Sequence, residues 1–95
     1  SSSSSSSSSS ASGSSSNTLE GAPSSVDEKS PSGDISKLQA RLIELGYLYG
    51  SPFGVYNSYT KDAVSEFQKK CGMTATGICD EETARRLFAD DAPRF

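Results

Sequence analysis

The sequence predicts an all-α domain, a compact three-helix bundle with a long aromatic loop between its first and second helices. Three observations lead to this prediction. Apolar residues recur at helical spacing in three segments that follow residue 33. Glycine comes directly after the first two segments, as it does at many helix ends. Each predicted helix has one apolar stripe, and three such stripes can close around a single core.

The first 33 residues differ in composition from the rest of the 95-residue chain. They open with a run of serines and continue in small polar residues, glycine and proline. Isolated apolar residues such as Leu19 and Val26 bury too little surface to offset the entropy cost of ordering. We therefore predict a disordered serine-rich tether over residues 1–33 and one folded domain over residues 34–95. No apolar run of signal-peptide or membrane-spanning length is present.

The first predicted helix begins after Asp34, a residue type that caps helix N-termini well. Gly46 closes this helix. Its apolar stripe comprises Ile35, Leu38, Leu42 and Leu45. The connection that follows, residues 46–57, is long for two packed helices, which are usually joined by about 2–8 residues.

This connection is rich in aromatic residues, which are Tyr47, Tyr49, Phe53 and Tyr56, with Tyr59 just beyond it. A long loop in a small domain must be fixed by burying some of its rings, and long loops often carry function. We expect Tyr47 and Tyr56 to pack in the core. The other three rings are the candidates for surface exposure and ligand contact.

The second helix is predicted from about Ser58 to Cys71, with Asn57 as its cap and Gly72 as its stop. Its buried stripe comprises Ala63, Val64, Phe67 and Cys71. Asp80 is expected to cap a third helix that ends near Ala89 and has Ala84, Leu87 and Phe88 on its apolar face. The predicted core is Ile35, Leu38, Leu42, Leu45, Val64, Phe67, Met73 and Leu87, with Tyr47 and Tyr56.

Composition excludes several classes of function. The net charge is −3, which disfavours a nucleic-acid partner. The chain has no histidine, the commonest general base and metal ligand. Its two cysteines, Cys71 and Cys79, are too few for a structural zinc site, and they are either free thiols or a disulfide. Asp62, Glu66 and the acidic residues near Asp80 are interpreted as solvated helix charges. We predict no catalysis and no cofactor.

An ordered set of residues resembles the peptidoglycan-binding-like module, a small three-helix family. The matching residues are Leu38-Gln39, Leu42, Leu45-Gly46-Tyr47, Gly54-Val55-Tyr56, Thr60, Ala63-Val64, Phe67-Gln68, Gly72-Met73, Thr76-Gly77, Asp80 and Thr83. The resemblance covers essentially all of residues 34–89. It implies a bacterial, extracellular or wall-associated module that binds the glycan strand or stem peptide of peptidoglycan without catalysis. Such modules are monomeric units attached to wall hydrolases, sometimes in tandem.

The resemblance also suggests which residues contact the ligand. Tyr49, Phe53 and Tyr59 offer flat rings to sugars or to the stem peptide, and the hydroxyl groups of the two tyrosines offer hydrogen bonds. Gln68 is a fourth candidate contact. For both Gln39 and Gln68, however, we favour a structural role in which a buried amide satisfies the polar groups of a loop.

Two other functions share the predicted fold. One is a structural or protein-interaction spacer that has lost wall binding. The other is a module like the propeptide of matrix metalloproteases, in which a cysteine after Pro-Arg blocks the catalytic zinc. Here Pro93-Arg94 is followed by Phe95, so the blocking thiol is absent.

Overall fold

Three helices make up the architecture of residues 25–95, which are the residues that the computed structural model describes. Helix α1 spans Ser32–Leu45, α2 spans Ser58–Cys71 and α3 spans Glu81–Leu87. Each helix packs against the other two. The predicted all-α three-helix bundle is therefore confirmed. The predicted disorder of residues 1–24 concerns a part of the chain outside the described residues.

The ends of α1 and α2 are formed as the sequence predicts. Gly46 and Gly72 adopt left-handed backbone conformations, with φ of 96° and 80°, and their N–H groups donate to carbonyls of the last helical turn. A side chain at either position would strain this conformation. At the start of α2, the Asn57 Oδ1 atom accepts a hydrogen bond from the Thr60 amide at 3.1 Å.

Two further helix boundaries differ from the prediction. Helix α1 begins three residues early, because Pro31 fixes its own φ at −64° and offers its carbonyl to the Asp34 and Ile35 amides, at 3.0 Å each. Asp34 thus lies in the first turn and does not cap the helix. Asp80 precedes α3 as expected, but its side chain makes no capping hydrogen bond, and α3 ends at Leu87.

Most of the predicted core is buried. The buried members are Ile35, Leu38, Leu42, Leu45, Tyr56, Val64, Phe67 and Leu87. Met73 and Tyr47 are partly buried and pack against this core. The prediction omitted Leu48, which is buried although it belongs to the long loop.

The segment before α1 corrects the predicted domain boundary. Val26 is 1% exposed, and its amide donates to the Cys79 carbonyl at 2.8 Å in an isolated antiparallel bridge. Assigning this residue to a disordered tether was wrong. The reason is that a single apolar side chain can be buried when a distant part of the chain offers both a cavity and a backbone partner, which composition does not reveal.

We predict that Val26→Ala lowers the free energy of unfolding by about 1–3 kcal/mol, since it removes most of a fully buried side chain. Chemical denaturation followed by circular dichroism measures this change. Val55→Ala is the matched control, because Val55 is 56% exposed and should change stability by less than about 0.5 kcal/mol. Equal stability of the two variants would contradict the burial of Val26.

The residues after α3 return to the end of α1. The Arg41 guanidinium donates to the Leu87 and Ala89 carbonyls, at 2.8 Å each. It thereby provides a partner for the carbonyl at the end of α3 and a second partner for the Ala89 carbonyl, which also accepts from the Ala92 amide. The Phe95 amide donates to the Leu45 carbonyl at 3.0 Å. This returning segment brings the Phe95 ring beside the long loop.

Candidate functional site

The long loop and α2 together form a groove with exposed aromatic walls. Tyr49 is 92% exposed, Tyr59 72% and Phe53 47%. The groove has a volume of about 410 Å³ and is lined by Tyr47, Leu48, Tyr49, Phe53, Tyr59 and Asp62. Three of the four predicted contact residues are thus brought to one place, although they are spread over the loop and the first turn of α2.

One wall of the groove, Tyr47, is fixed by its surroundings. Its ring packs edge-on against Phe67 and Phe95, with centroid separations of 5.7 and 5.6 Å. Its hydroxyl group donates to the Pro93 carbonyl at 2.9 Å. Burial raises the pKa of Tyr47, with smaller contributions from Cys71 and Glu66, so this hydrogen-bond donor stays protonated near neutral pH. The groove therefore has at least one preformed wall.

A buried glutamine fixes the part of the loop that carries Phe53. Gln39 is fully buried on α1. Its Oε1 atom accepts from the Phe53 and Gly54 amides at 2.9 and 2.8 Å. Its Nε2 atom donates to the Val55 carbonyl at 2.7 Å and to Thr60 Oγ1 at 2.9 Å. The structural role favoured for Gln39 is the role that it has here.

Gln68 does not belong to the groove. It is 1% exposed, and its Oε1 atom accepts from the Gly77 amide at 3.0 Å. Its Nε2 atom donates to the Ile78 carbonyl at 2.9 Å and to Thr83 Oγ1 at 3.1 Å. The suggestion that Gln68 contacts a ligand does not fit this geometry, because its amide atoms are already bonded inside the domain. Gln68 instead fixes the loop before α3.

The two glutamines form the same arrangement twice, which we call the glutamine clamp. In each clamp the side-chain oxygen of a helical glutamine accepts from a glycine amide. Its side-chain nitrogen donates to the carbonyl of the residue after that glycine and to the hydroxyl oxygen of a threonine in the following helix. The first clamp comprises Gln39, Gly54, Val55 and Thr60, and the second comprises Gln68, Gly77, Ile78 and Thr83. The sequence signal for this repeat is the equal spacing from glycine to threonine, which our sequence reasoning did not use.

The repeat also relates the aromatic groove to a second cleft. This cleft has a volume of about 380 Å³ and lies beside the second clamp. Aligning the two clamps on their glycine and threonine residues pairs Phe53 with Thr76 and Tyr59 with Glu82. Both Thr76 and Glu82 line the second cleft. The glutamine clamp therefore forms equally well when small or polar residues stand at the positions that hold large aromatic residues in the groove.

Both cysteines are free thiols, so the structure has no disulfide between Cys71 and Cys79. Burial raises the pKa of the Cys79 thiol to about 12, which keeps it neutral and unreactive near neutral pH. Cys71 is only partly buried, and burial raises its pKa as well. Neither thiol lines the aromatic groove.

The chemistry that the groove offers is contact by rings, hydroxyl groups and one carboxylate. Within residues 25–95, no three or more cysteine, aspartate or glutamate side chains gather as a metal site would require. None of the helices in that range is long and apolar enough to cross a membrane. The arrangement suits the binding of a ligand.

Comparison with known proteins agrees with this description. The family described as "Putative peptidoglycan binding domain" matches residues 31–87. The N-acetylmuramoyl-L-alanine amidase CwlM of Mycobacterium tuberculosis is 40% identical over 55 residues, which are 58% of this chain and 14% of the amidase. The chloroplastic protein disulfide isomerase pTAC5 of Arabidopsis thaliana is 32% identical over 65 residues, 65% of this chain and 17% of that protein.

This chain thus spans less than a fifth of the length of either relative. No solved structure gives a significant match. The family match nevertheless covers more than half of the chain and all three helices. The ordered residues that suggested a wall-binding module, the observed bundle and the family match lead to one assignment: the chain belongs to the peptidoglycan-binding domain family.

Proposed function

We propose that this domain is a non-catalytic module that binds peptidoglycan through the aromatic groove. The observation that carries the proposal is the cluster of three exposed rings, Tyr49, Phe53 and Tyr59, around one groove in a member of this family. Flat rings pack against the apolar faces of sugars and against peptide side chains, and phenol hydroxyl groups add hydrogen bonds. Exposed apolar surface of this kind commonly marks a binding site.

The internal repeat supports a binding role for these rings. The second clamp holds its loop with Thr76 and Glu82 at the positions of Phe53 and Tyr59. The fold therefore does not require large rings at such positions. Keeping exposed rings costs solubility, so a ligand is the better explanation for their presence.

The role of such a module is to hold a catalytic partner at the wall. The relative CwlM is named as an amidase, and the shared region is a small part of it. By analogy, this domain would concentrate an attached or partner hydrolase near an insoluble substrate at a bacterial cell wall, which raises the effective substrate concentration. It would do so as a monomeric unit.

Sedimentation with purified insoluble peptidoglycan tests the proposal. We expect the Tyr49→Ala/Tyr59→Ala variant to bind at least about fivefold more weakly than the wild type, since each ring contributes about 0.5–1.5 kcal/mol. The Tyr49→Phe/Tyr59→Phe variant keeps both rings and is the matched control, with most of the binding retained. Equal retention of the alanine variant would show that the groove is not the binding site.

The second candidate is a protein-interaction spacer with the same fold. The match to a chloroplastic protein disulfide isomerase favours it, because that relative is named for a different activity and compartment. A wild-type domain that stays fully soluble in the sedimentation assay would support the spacer and remove the wall-binding proposal.

A further inference from the structure

We propose that the aromatic groove selects a free alkylammonium group, that of the diamino acid in a stem peptide, with Asp62 as its anionic partner. This inference rests on the proposed function and adds the chemical class that the groove prefers. Its starting point is that a single carboxylate lines a groove otherwise walled by four rings and Leu48.

Asp62 is available to a ligand. It is exposed on α2, one helical turn after Tyr59, and it lines the groove together with that residue. The ion pairs found within residues 25–95 join Arg41 to Glu44, Lys69 to Glu66 and Arg86 to Glu82. None of them involves Asp62, so its charge is not neutralised by a side chain of the described domain.

No positively charged side chain of the described residues lines the groove. Lys61 is next to Asp62 in sequence, but the start of its side chain packs against Gly77. The Lys70 ammonium lies over the Phe95 ring, 5.7 Å from its centroid. The groove therefore attracts cations and repels anions.

Aromatic faces and a carboxylate together favour an ammonium ion. The negative faces of the rings attract a cation, and the carboxylate accepts its hydrogen bonds. An acetylated amine in the same place would leave Asp62 desolvated without a counter-charge, which is unfavourable. Charge complementarity thus distinguishes a free amine from its amide.

The lining favours an alkyl chain as the carrier of this amine. The methylene groups of a lysine-like side chain can lie along Phe53 and Tyr59 while the ammonium reaches Asp62. An amino sugar instead has its ammonium among several hydroxyl groups, which need more polar partners than this lining offers. Cross-linking of peptidoglycan converts the stem-peptide amine into an amide. The domain should therefore prefer wall that is not cross-linked.

Titrations followed by NMR test this inference on the wild-type domain. The first pair of probes is a stem tripeptide ending in lysine and the same peptide acetylated on its side-chain amine. We expect the free amine to bind about fivefold more tightly, with shifts at Tyr49, Phe53 and Tyr59. The second pair, tetramers of glucosamine and of N-acetylglucosamine, should show a smaller ratio.

Variants assign the preference to one carboxylate. Asp62→Asn should bring the ratio of the two tripeptide affinities close to one. Glu81→Gln makes the same change of charge at an exposed residue outside the groove, and it should keep the wild-type ratio.

The outcomes separate this inference from the proposed function. Equal binding of the free and acetylated tripeptides at the three rings would overturn the amine preference and leave the groove as a wall-binding site. A larger ratio for the sugar pair would overturn the assignment to the stem peptide. If none of the four probes binds, both the inference and the groove function fail.

Discussion

Replacing Gln39 by leucine should destabilise the domain by about 3 kcal/mol and also disorder the aromatic groove. The leucine keeps the volume of the side chain but leaves the Phe53 and Gly54 amides and the Val55 carbonyl without their partner. Polar groups in partly buried positions are costly when they lose a hydrogen bond, and movement of the loop would let water replace the lost partner. Urea denaturation measures the loss of stability, and NMR measures the movement of the loop.

Gln68→Leu is the matched control for this experiment. It removes the same kind of clamp from the loop before α3, so we expect a similar loss of stability. Below the unfolding transition, however, the resonances of Tyr49 and Phe53 should change in the Gln39 variant and stay unchanged in the Gln68 variant. Groove changes of equal size in both variants would contradict the separate roles of the two clamps.

Replacing Phe67 by alanine should have the largest effect on stability, about 3–5 kcal/mol. Phe67 is fully buried, and its ring supports the edge of Tyr47 at a centroid distance of 5.7 Å. A domain of this size is expected to have only about 4–10 kcal/mol of stability in total. Thermal unfolding followed by circular dichroism should therefore show a melting temperature that is lower by at least about 12 °C.

Phe67→Leu keeps the prediction measurable if the alanine variant does not fold. Leucine retains most of the volume, so its loss should be well below that of alanine, and the domain should remain folded. The Tyr47 resonances should still shift, because leucine cannot reproduce the edge-on ring contact. A loss below about 1 kcal/mol for the alanine variant would show that Phe67 is not central to the core.

The sequence was sufficient to predict the helices and most of the core. In α1 and α2 the apolar stripe, the glycine stop and, for α2, the Asn57 cap all indicate the same boundaries. Agreement between such independent local signals is what makes a segment predictable. The start of α1 was predicted wrongly at Asp34, because Pro31 is also suited to a helix start and only the hydrogen bonds of the structure distinguish the two positions.

Val26 and Leu48 show what local sequence cannot reveal. Val26 is an isolated apolar residue among small or polar neighbours, and Leu48 lies between two tyrosines in a loop without helical periodicity. Both are buried in the core cluster. Burial of this kind depends on which distant segments of the chain pack against the residue. No periodicity within the segment itself carries that information.

The candidate site was only partly predictable. The three rings could be predicted as candidates because an aromatic residue in a long loop either packs in the core or stays exposed, and exposed rings suggest ligand contact. The structure shows that all three are exposed around one groove. Asp62 was interpreted as an ordinary helix charge, since the sequence does not show that it borders the rings. Gln68 was proposed as a contact, because burial of its amide depends on a loop nine residues further along.

The repeated clamp explains why the bundle has three helices. Helix α2 takes part in both clamps. Its Thr60 accepts a hydrogen bond from the glutamine of the preceding helix, and its Gln68 binds the loop and the helix that follow. In principle, further clamps of this kind could add one helix after another, as in repeat proteins. In α3, Thr83 accepts a hydrogen bond from the glutamine of the second clamp, but the helix ends at Leu87, before the position at which a third glutamine would stand. The series stops there, and the Arg41 guanidinium of α1 binds the Leu87 carbonyl at the end of α3 and the Ala89 carbonyl just beyond it.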